Sequence, residues 1–229
     1  MKIVSIHQPG YLPWLGFFKK IESADIFVFL DDVQYSRGKW ENRNKIRTRE
    51  DSIWLTVPIL NKSGRLINQV EIDYSKDWLY KHKSAIKLSY EHSPFFDLYW
   101  NDIESILNHS HKKLLDLNME LINYFISTLE IKTKTVLSSD LNIDSMGSER
   151  LLDICMSLDA DTYLSGELGV NYLDTKIFEK ENIQIIFEKY LHPTYTQKHP
   201  NFISNMSIID LLFNEGKKSI QILKESKIF

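Results

Sequence analysis

Two short clusters hold the side chains with the most chemistry to offer. The first is Ile6-His7-Gln8-Pro9-Gly10-Tyr11-Leu12-Pro13-Trp14, where an imidazole and a carboxamide, both able to donate and accept hydrogen bonds, stand side by side. Imidazole titrates near neutrality, so His7 is a candidate general base for the proton that an amine loses during acyl transfer. The second cluster is Asp31-Asp32-Val33-Gln34-Tyr35. Either carboxylate could orient the His7 ring through its other nitrogen, or the two together could hold magnesium. The plain alternatives are a histidine that only ties its strand to the next loop, and an aspartate pair in which one member caps or turns the chain.

A third cluster is basic and aromatic. From Arg37 to Arg49 the chain carries six basic residues against one acidic residue, which alone reads as a solvated surface loop. The arrangement argues for more. Trp40 supplies a stacking plane, Asn42 and Asn44 supply amide donors, and Arg37, Arg43 and Arg47 supply planar guanidinium forks suited to a phosphate or a sugar nucleotide. Further on, Ser165-Gly166 with Gly169 could present backbone N–H groups to an anion. His192-Pro193-Thr194-Tyr195 adds polar aromatics. Cys155 lies on an apolar helical face and reads as core. His109 and His111 stand two apart at a helix boundary, cannot share a helix face, and read as surface residues.

These side chains need elements to position them. Ile3 to Ile6 reads as a buried strand, Pro9-Gly10 breaks it, and Trp14 to Ser23 continues at helical spacing. Asp25 to Leu30 is the next strand. If the two are parallel, His7 and Asp31-Asp32 lie on one rim, where α/β proteins bind ligands. Further strands are expected over 53–58, 68–73, 133–137, 162–164 and 183–187, and residues 54–73 leave room for an antiparallel hairpin. Helices are expected over 77–90, 97–108, 112–129, 148–158 (with Ser148 as N-cap) and 206–213, the last stopped near Gly216. Leu114, Leu117, Leu121, Phe125 and Leu129 form one apolar face. The predicted fold is α/β, a mainly parallel central sheet (Rossmann-like) with an added helical layer. Residues 1–229 read as a single domain in which 77–130 is a helical insertion.

Composition narrows the function. A net charge of −3 argues against a general nucleic-acid binder, and a single cysteine excludes a disulfide framework or cysteine-rich metal site. No stretch approaches the length of a membrane span, and the start is strand-like rather than a signal peptide, so a cytoplasmic location is expected. There is no phosphate-binding loop of the lysine–serine/threonine type, no dinucleotide glycine fingerprint and no nucleophile elbow.

The chain resembles the WbqC-like proteins. The resemblance rests on His7-Gln8-Pro9 with Tyr11, Pro13, Trp14 and Gly16; on Asp31-Asp32-Val33-Gln34; on Trp40 and Asn42-Arg43-Asn44; and on Trp54-Leu55-Thr56-Val57-Pro58. It continues through Tyr163-Leu164-Ser165-Gly166, Tyr172-Leu173-Asp174, Tyr190, His192-Pro193, Tyr195, Gln197, and Ser207 to Asn214 before Gly216. It implies a role in bacterial surface-polysaccharide pathways such as O-antigen synthesis, as a transferase of a glycyl or other acyl group onto an amino sugar. The implied partners are a nucleotide-linked sugar and a small acyl or amino-acid donor, with the cofactor unknown. Residue roles come from chemistry alone: His7, Asp31 and Asp32 as catalytic, and Gln8, Tyr11, Trp14, Gln34, Arg37, Trp40, Asn42, Arg43, Ser165, Gly166, His192 and Tyr195 as substrate-binding. The first strand–loop–helix unit is also similar to the nucleotide-binding half of pantothenate synthetase-like and nucleotidylyltransferase folds, but lacks the second histidine those proteins place shortly after the first. That likeness implies an ATP-dependent carboxylate-activating ligase or nucleotidyltransferase as the alternative, and a non-catalytic nucleotide-sugar binder is the third reading.

Overall fold

The computed structural model describes residues 1–36, 38–60 and 64–228. In chain order, β1 (Ile3–His7), α1 (Leu15–Glu22) and β2 (Ile26–Phe29) lead into a hairpin of β3 (Arg43–Arg47) and β4 (Ser52–Thr56). Three helices follow, α2 (Trp78–Tyr90), α3 (Phe96–Asn108) and α4 (Leu114–Thr128). The chain then alternates through β5 (Lys134–Leu137), α5 (Gly147–Ser157), β6 (Thr162–Gly166), α6 (Thr175–Lys180) and β7 (Gln184–Glu188). It closes with β8 (Tyr190–Leu191), α7 (Ile208–Glu215), α8 (Lys218–Glu225) and β9 (Lys227–Ile228).

Five strands form one parallel sheet in the order β5-β2-β1-β6-β7, with Ser5 opposite Phe27 on one side and Leu164 on the other. Counted along the chain this is the 3-2-1-4-5 pattern. Successive connections leave β1 in opposite directions, so a crevice opens outside the carboxyl ends of β1 and β6. The strands are apolar on both faces because both are covered. Val4, Ile6, Ile26 and Val28 pack with Leu152, Ile154, Cys155 and Phe178 under α5 and α6. Phe27 and Phe29 point the other way, into a larger core with Phe17, Phe18 and the helical layer. The expected stripe Leu114, Leu117, Leu121, Phe125 and Leu129 lies within that core. No helix among the described residues is long and apolar enough to cross a membrane.

Three local expectations are corrected. Residues 43–47 form a strand rather than a loop, antiparallel to β4. Asn44 and Ile46 point inward while Arg43 and Lys45 point out, and the charges mask this period of two. Residues 68–73 are no strand: a 3₁₀ turn over Ile67–Gln69 precedes isolated bridges from Glu71 to Lys113 and from Ile72 to Ile59. Ser148 does not cap α5, which starts at Gly147; its hydroxyl accepts from the Asp174 amide instead.

One buried group gives the fold a pH signature. His82 is 5% exposed, its Nδ1 lies 3.0 Å from the Tyr11 hydroxyl, and burial pushes its imidazole down to about 4. The unfolded chain binds a proton below about 6.5 whereas the folded ring resists until about 4, so stability is lost as pH falls through that window. The urea midpoint of the wild type is therefore expected to drop more steeply between those values than that of His82→Leu. Parallel slopes would show that this ring does not drive the acid sensitivity.

Candidate functional site

At the crevice between β1 and β6 lies a cleft of about 580 Å³, walled by α1, the loop before the hairpin, and the ends of β6 and β7. His7 is placed there by strand alternation: Val4 and Ile6 face α5, so His7 turns to the α1 side, edge-on to Phe17 at 5.5 Å. Its Nδ1 stands 2.8 Å from the Gln8 carbonyl. A carbonyl only accepts, so Nδ1 carries the proton and Nε2 keeps a free lone pair. The ring is itself exposed at the cleft, with protein crowded around its other sides. That desolvation, with the nearby Lys20 ammonium, pushes its pKa down to about 4, against the pull of the Gln8 carbonyl. The imidazole is neutral at neutral pH.

Beneath His7 lies a buried ion pair. Lys20, 3% exposed at the end of α1, directs Nζ to within 3.7 Å of Glu188 Oε1 at the end of β7. Burial lowers the lysine pKa and raises that of the glutamate, each partly offset by the partner. The ammonium lies 3.6 Å from where a Cβ on Gly166 would stand, so a larger side chain there would cover it. A Cβ on Gly169 would come within 2.2 Å of Ser165 Oγ, which explains the second glycine.

The mouth is aromatic and apolar. Trp40, Leu168 and Tyr172 line it at 48%, 72% and 66% exposure. Trp14 stacks on His192 at 6.2 Å and meets Tyr190 edge-on at 5.1 Å. Gly16 leaves room for the indole, which would lie 2.3 Å from a Cβ at that position. Asn118 on α4, fully buried, donates to the carbonyls of Glu41 (2.7 Å) and Pro9 (3.3 Å) and so fixes the loops on either side of the cleft.

Of the residues expected at the site, the cleft brings together His7, Gln8, Trp14, Trp40 and Gly166. The others lie elsewhere. Asp31 and Asp32 share the rim but turn toward β5. Asp31 accepts from the Ser138 hydroxyl, the Ser139 amide and Asn68, and Asp32 pairs with Arg150. The Arg150 guanidinium occupies the direction a cation would take, and neither carboxylate orients His7. Gln34, Asn42 and Arg43 line a separate cavity of about 800 Å³. There Asn42 Nδ2 donates to the Val57 carbonyl, while Arg43 lies over Trp54 at 4.3 Å and donates to the Gly38 carbonyl. Arg37 lies outside the described residues. Tyr11 belongs to the core beside His82, and Ser165 is fully buried behind Gly166. Tyr195 donates to the buried Asp210 at 2.7 Å, which also accepts from Tyr90 and Gln197. His192 does not line the cleft but packs behind two residues that do, stacked on Trp14 and edge-on to Tyr190 at 5.9 Å.

Lys20, Glu188 and Glu41 escaped the sequence reading. Lys20 follows Gly16 and Phe17 by four and three positions, which puts it on their face of α1. Glu188 ends an apolar strand just as His7 does. Glu41 lines the cleft with both carboxylate oxygens enclosed and in no hydrogen bond of normal geometry, and burial raises its pKa. Only its place in the basic stretch marked it.

A model of the WbqC-like protein family matches residues 8–222. The uncharacterized protein Rv1507c of Mycobacterium tuberculosis is 34% identical over 229 residues, covering 98% of both chains. No solved structure matches.

Proposed function

Because the chain belongs to the WbqC-like protein family, we propose that it is a transferase of bacterial surface-polysaccharide (O-antigen) biosynthesis. On this reading it moves an acyl or aminoacyl (glycyl) group onto a nucleotide-linked amino sugar held in the cleft between β1 and β6, and it works in the cytoplasm. The observation that carries this is the pairing, in one cleft, of a buried ammonium (Lys20) with a neutral imidazole whose Nε2 is free. The ammonium attracts a diphosphate or a donor carboxylate. The sugar amine attacks the donor carbonyl, its proton passes to His7 Nε2, and the donor's leaving group departs with the bonding electrons. Desolvation is the main cause of the lowered ring pKa and the Lys20 charge the lesser one; an anion beside Lys20 offsets the lesser and so raises the pKa. The exposed faces of Trp40 and Tyr172 offer the base a stacking surface.

Titration calorimetry with uridine- and deoxythymidine-diphosphate amino sugars tests the reading. Trp40→Ala is expected to weaken binding by about 1–3 kcal/mol, the range for one base stacked on an aromatic ring. Absence of binding at millimolar ligand, or equal affinity in Trp40→Ala, counts against the placement. Mass spectrometry of the nucleotide sugar then reads the added acyl group. The 3-2-1-4-5 strand order, with a histidine just past the first strand, favours a second reading, ATP-dependent activation of a carboxylate. Release of pyrophosphate without any mass gain on a sugar would select it.

A further inference from the structure

We propose that His109, His111 and Glu120 form a binding site for one transition-metal ion of the zinc class at the turn between α3 and α4. None of the three lines the cleft. The sequence spacing suggested that the two histidines could not face one way, but α3 ends at Asn108 and the helical period ends with it. His109 is extended, and the His111 amide bonds back to the His109 carbonyl at 2.9 Å, closing a tight turn. The two rings come to 5.9 Å between centroids. Glu120 on α4 reaches between them, with Oε1 2.8 Å from His109 Nδ1 and Oε2 2.5 Å from His111 Nε2.

The frame is held from outside the cluster. The Tyr74 hydroxyl donates to the His111 carbonyl at 3.0 Å, and Glu71 bridges to Lys113 at the start of α4. The potential ligand atoms lie within 4.8 Å of one another. Around tetrahedral zinc, with bonds near 2.1 Å, neighbouring ligand atoms stand about 3.4 Å apart, so small side-chain rotations suffice. Each imidazole offers its lone pair once its proton has left for solvent or for the other ring nitrogen. Two nitrogens and one oxygen suit zinc, nickel or copper rather than magnesium or calcium, whose ligands are oxygens. The side chains of His109 and Glu120 are 56% and 37% exposed, which gives an ion a way in and leaves a position for water.

The plain competitor is a carboxylate that only bridges two hydrogen-bonded rings. Zinc ion alone, titrated against a chromogenic chelator with protein freed of any affinity tag, separates the two. One equivalent is expected to bind at micromolar zinc and to raise the thermal midpoint. His109→Ala and Glu120→Gln alter exposed side chains, and circular dichroism checks that both variants keep the fold. Each is expected to weaken zinc binding by about 10-fold or more and to remove the thermal shift. No binding by the wild type at micromolar zinc, or undiminished binding in both variants, overturns the site.

Discussion

Replacing Lys20 with methionine is expected to lower the unfolding free energy by about 3–5 kcal/mol and to abolish binding of anionic ligands in the cleft. Methionine fills much the same volume, so the loss comes from Glu188, left buried with no positive charge 3.7 Å away. Glu188 can escape only by taking up a proton, which at neutral pH costs about 3 kcal/mol for a group of ordinary pKa 4.5. The deficit should therefore shrink on acidification, because the folded variant then binds a proton that the unfolded chain does not. Lys20→Met/Glu188→Leu should recover most of the stability, since a buried pair and a well-packed apolar pair are often near equal. It should not recover ligand binding, for which the ammonium itself is needed. Urea denaturation of the three proteins across pH reads the first part and calorimetry the second. If the single variant is as stable as the wild type at pH 7, the pair is solvated and Lys20 is no buried cation.

His7→Asn is expected to lower turnover by roughly 10²–10⁴-fold, the usual worth of a general base, while folding and ligand affinity survive. Asparagine keeps a donor for the Gln8 carbonyl and so keeps the local turn, but it cannot accept a proton. In the wild type, kcat/KM reports the free protein, so its acid limb should fall near the ring's value of about 4. The limb of kcat should lie higher, because a bound anion offsets Lys20. Both limbs should vanish in His7→Asn. Wild-type turnover with an unchanged pH profile would leave His7 a structural residue. The base would then be sought at Glu41 or Glu188, since Asp32 is committed to Arg150.

The rim of the sheet was legible in the sequence, because an apolar run that ends in His7-Gln8 or Asp31-Asp32 states locally where a strand stops. Which rim residues share a cleft was not legible. That depends on β6, not β2, flanking the crevice side of β1, and on a partner such as Arg150, 118 residues from Asp32. Helices α2 to α4 were clear from their apolar stripes. β3 was not, because Arg43, Lys45 and Arg47 mask the alternation of Asn44 and Ile46, and its partner strand lies beyond a turn. Lys20 was missed because lysine at the end of a helix usually belongs to solvent; here it is the floor of the cleft.

The pairing of β8 with β9 bears on how the protein is made. Tyr190, one wall of the cleft, pairs with Ile228, and Lys19 beside the cleft lysine donates to the carbonyl of Lys224 in α8. A ribosome delivers β1 and α1 some two hundred residues before α8 and β9, the elements that brace them. During most of translation the nascent chain exposes Trp14 and the α1 flank that α8 will cover. Contacts that span the chain so widely close slowly and leave apolar surface open to misassociation. The first strand–loop–helix unit is thus made well before the elements that seal it, and its apolar flank stays open until they arrive.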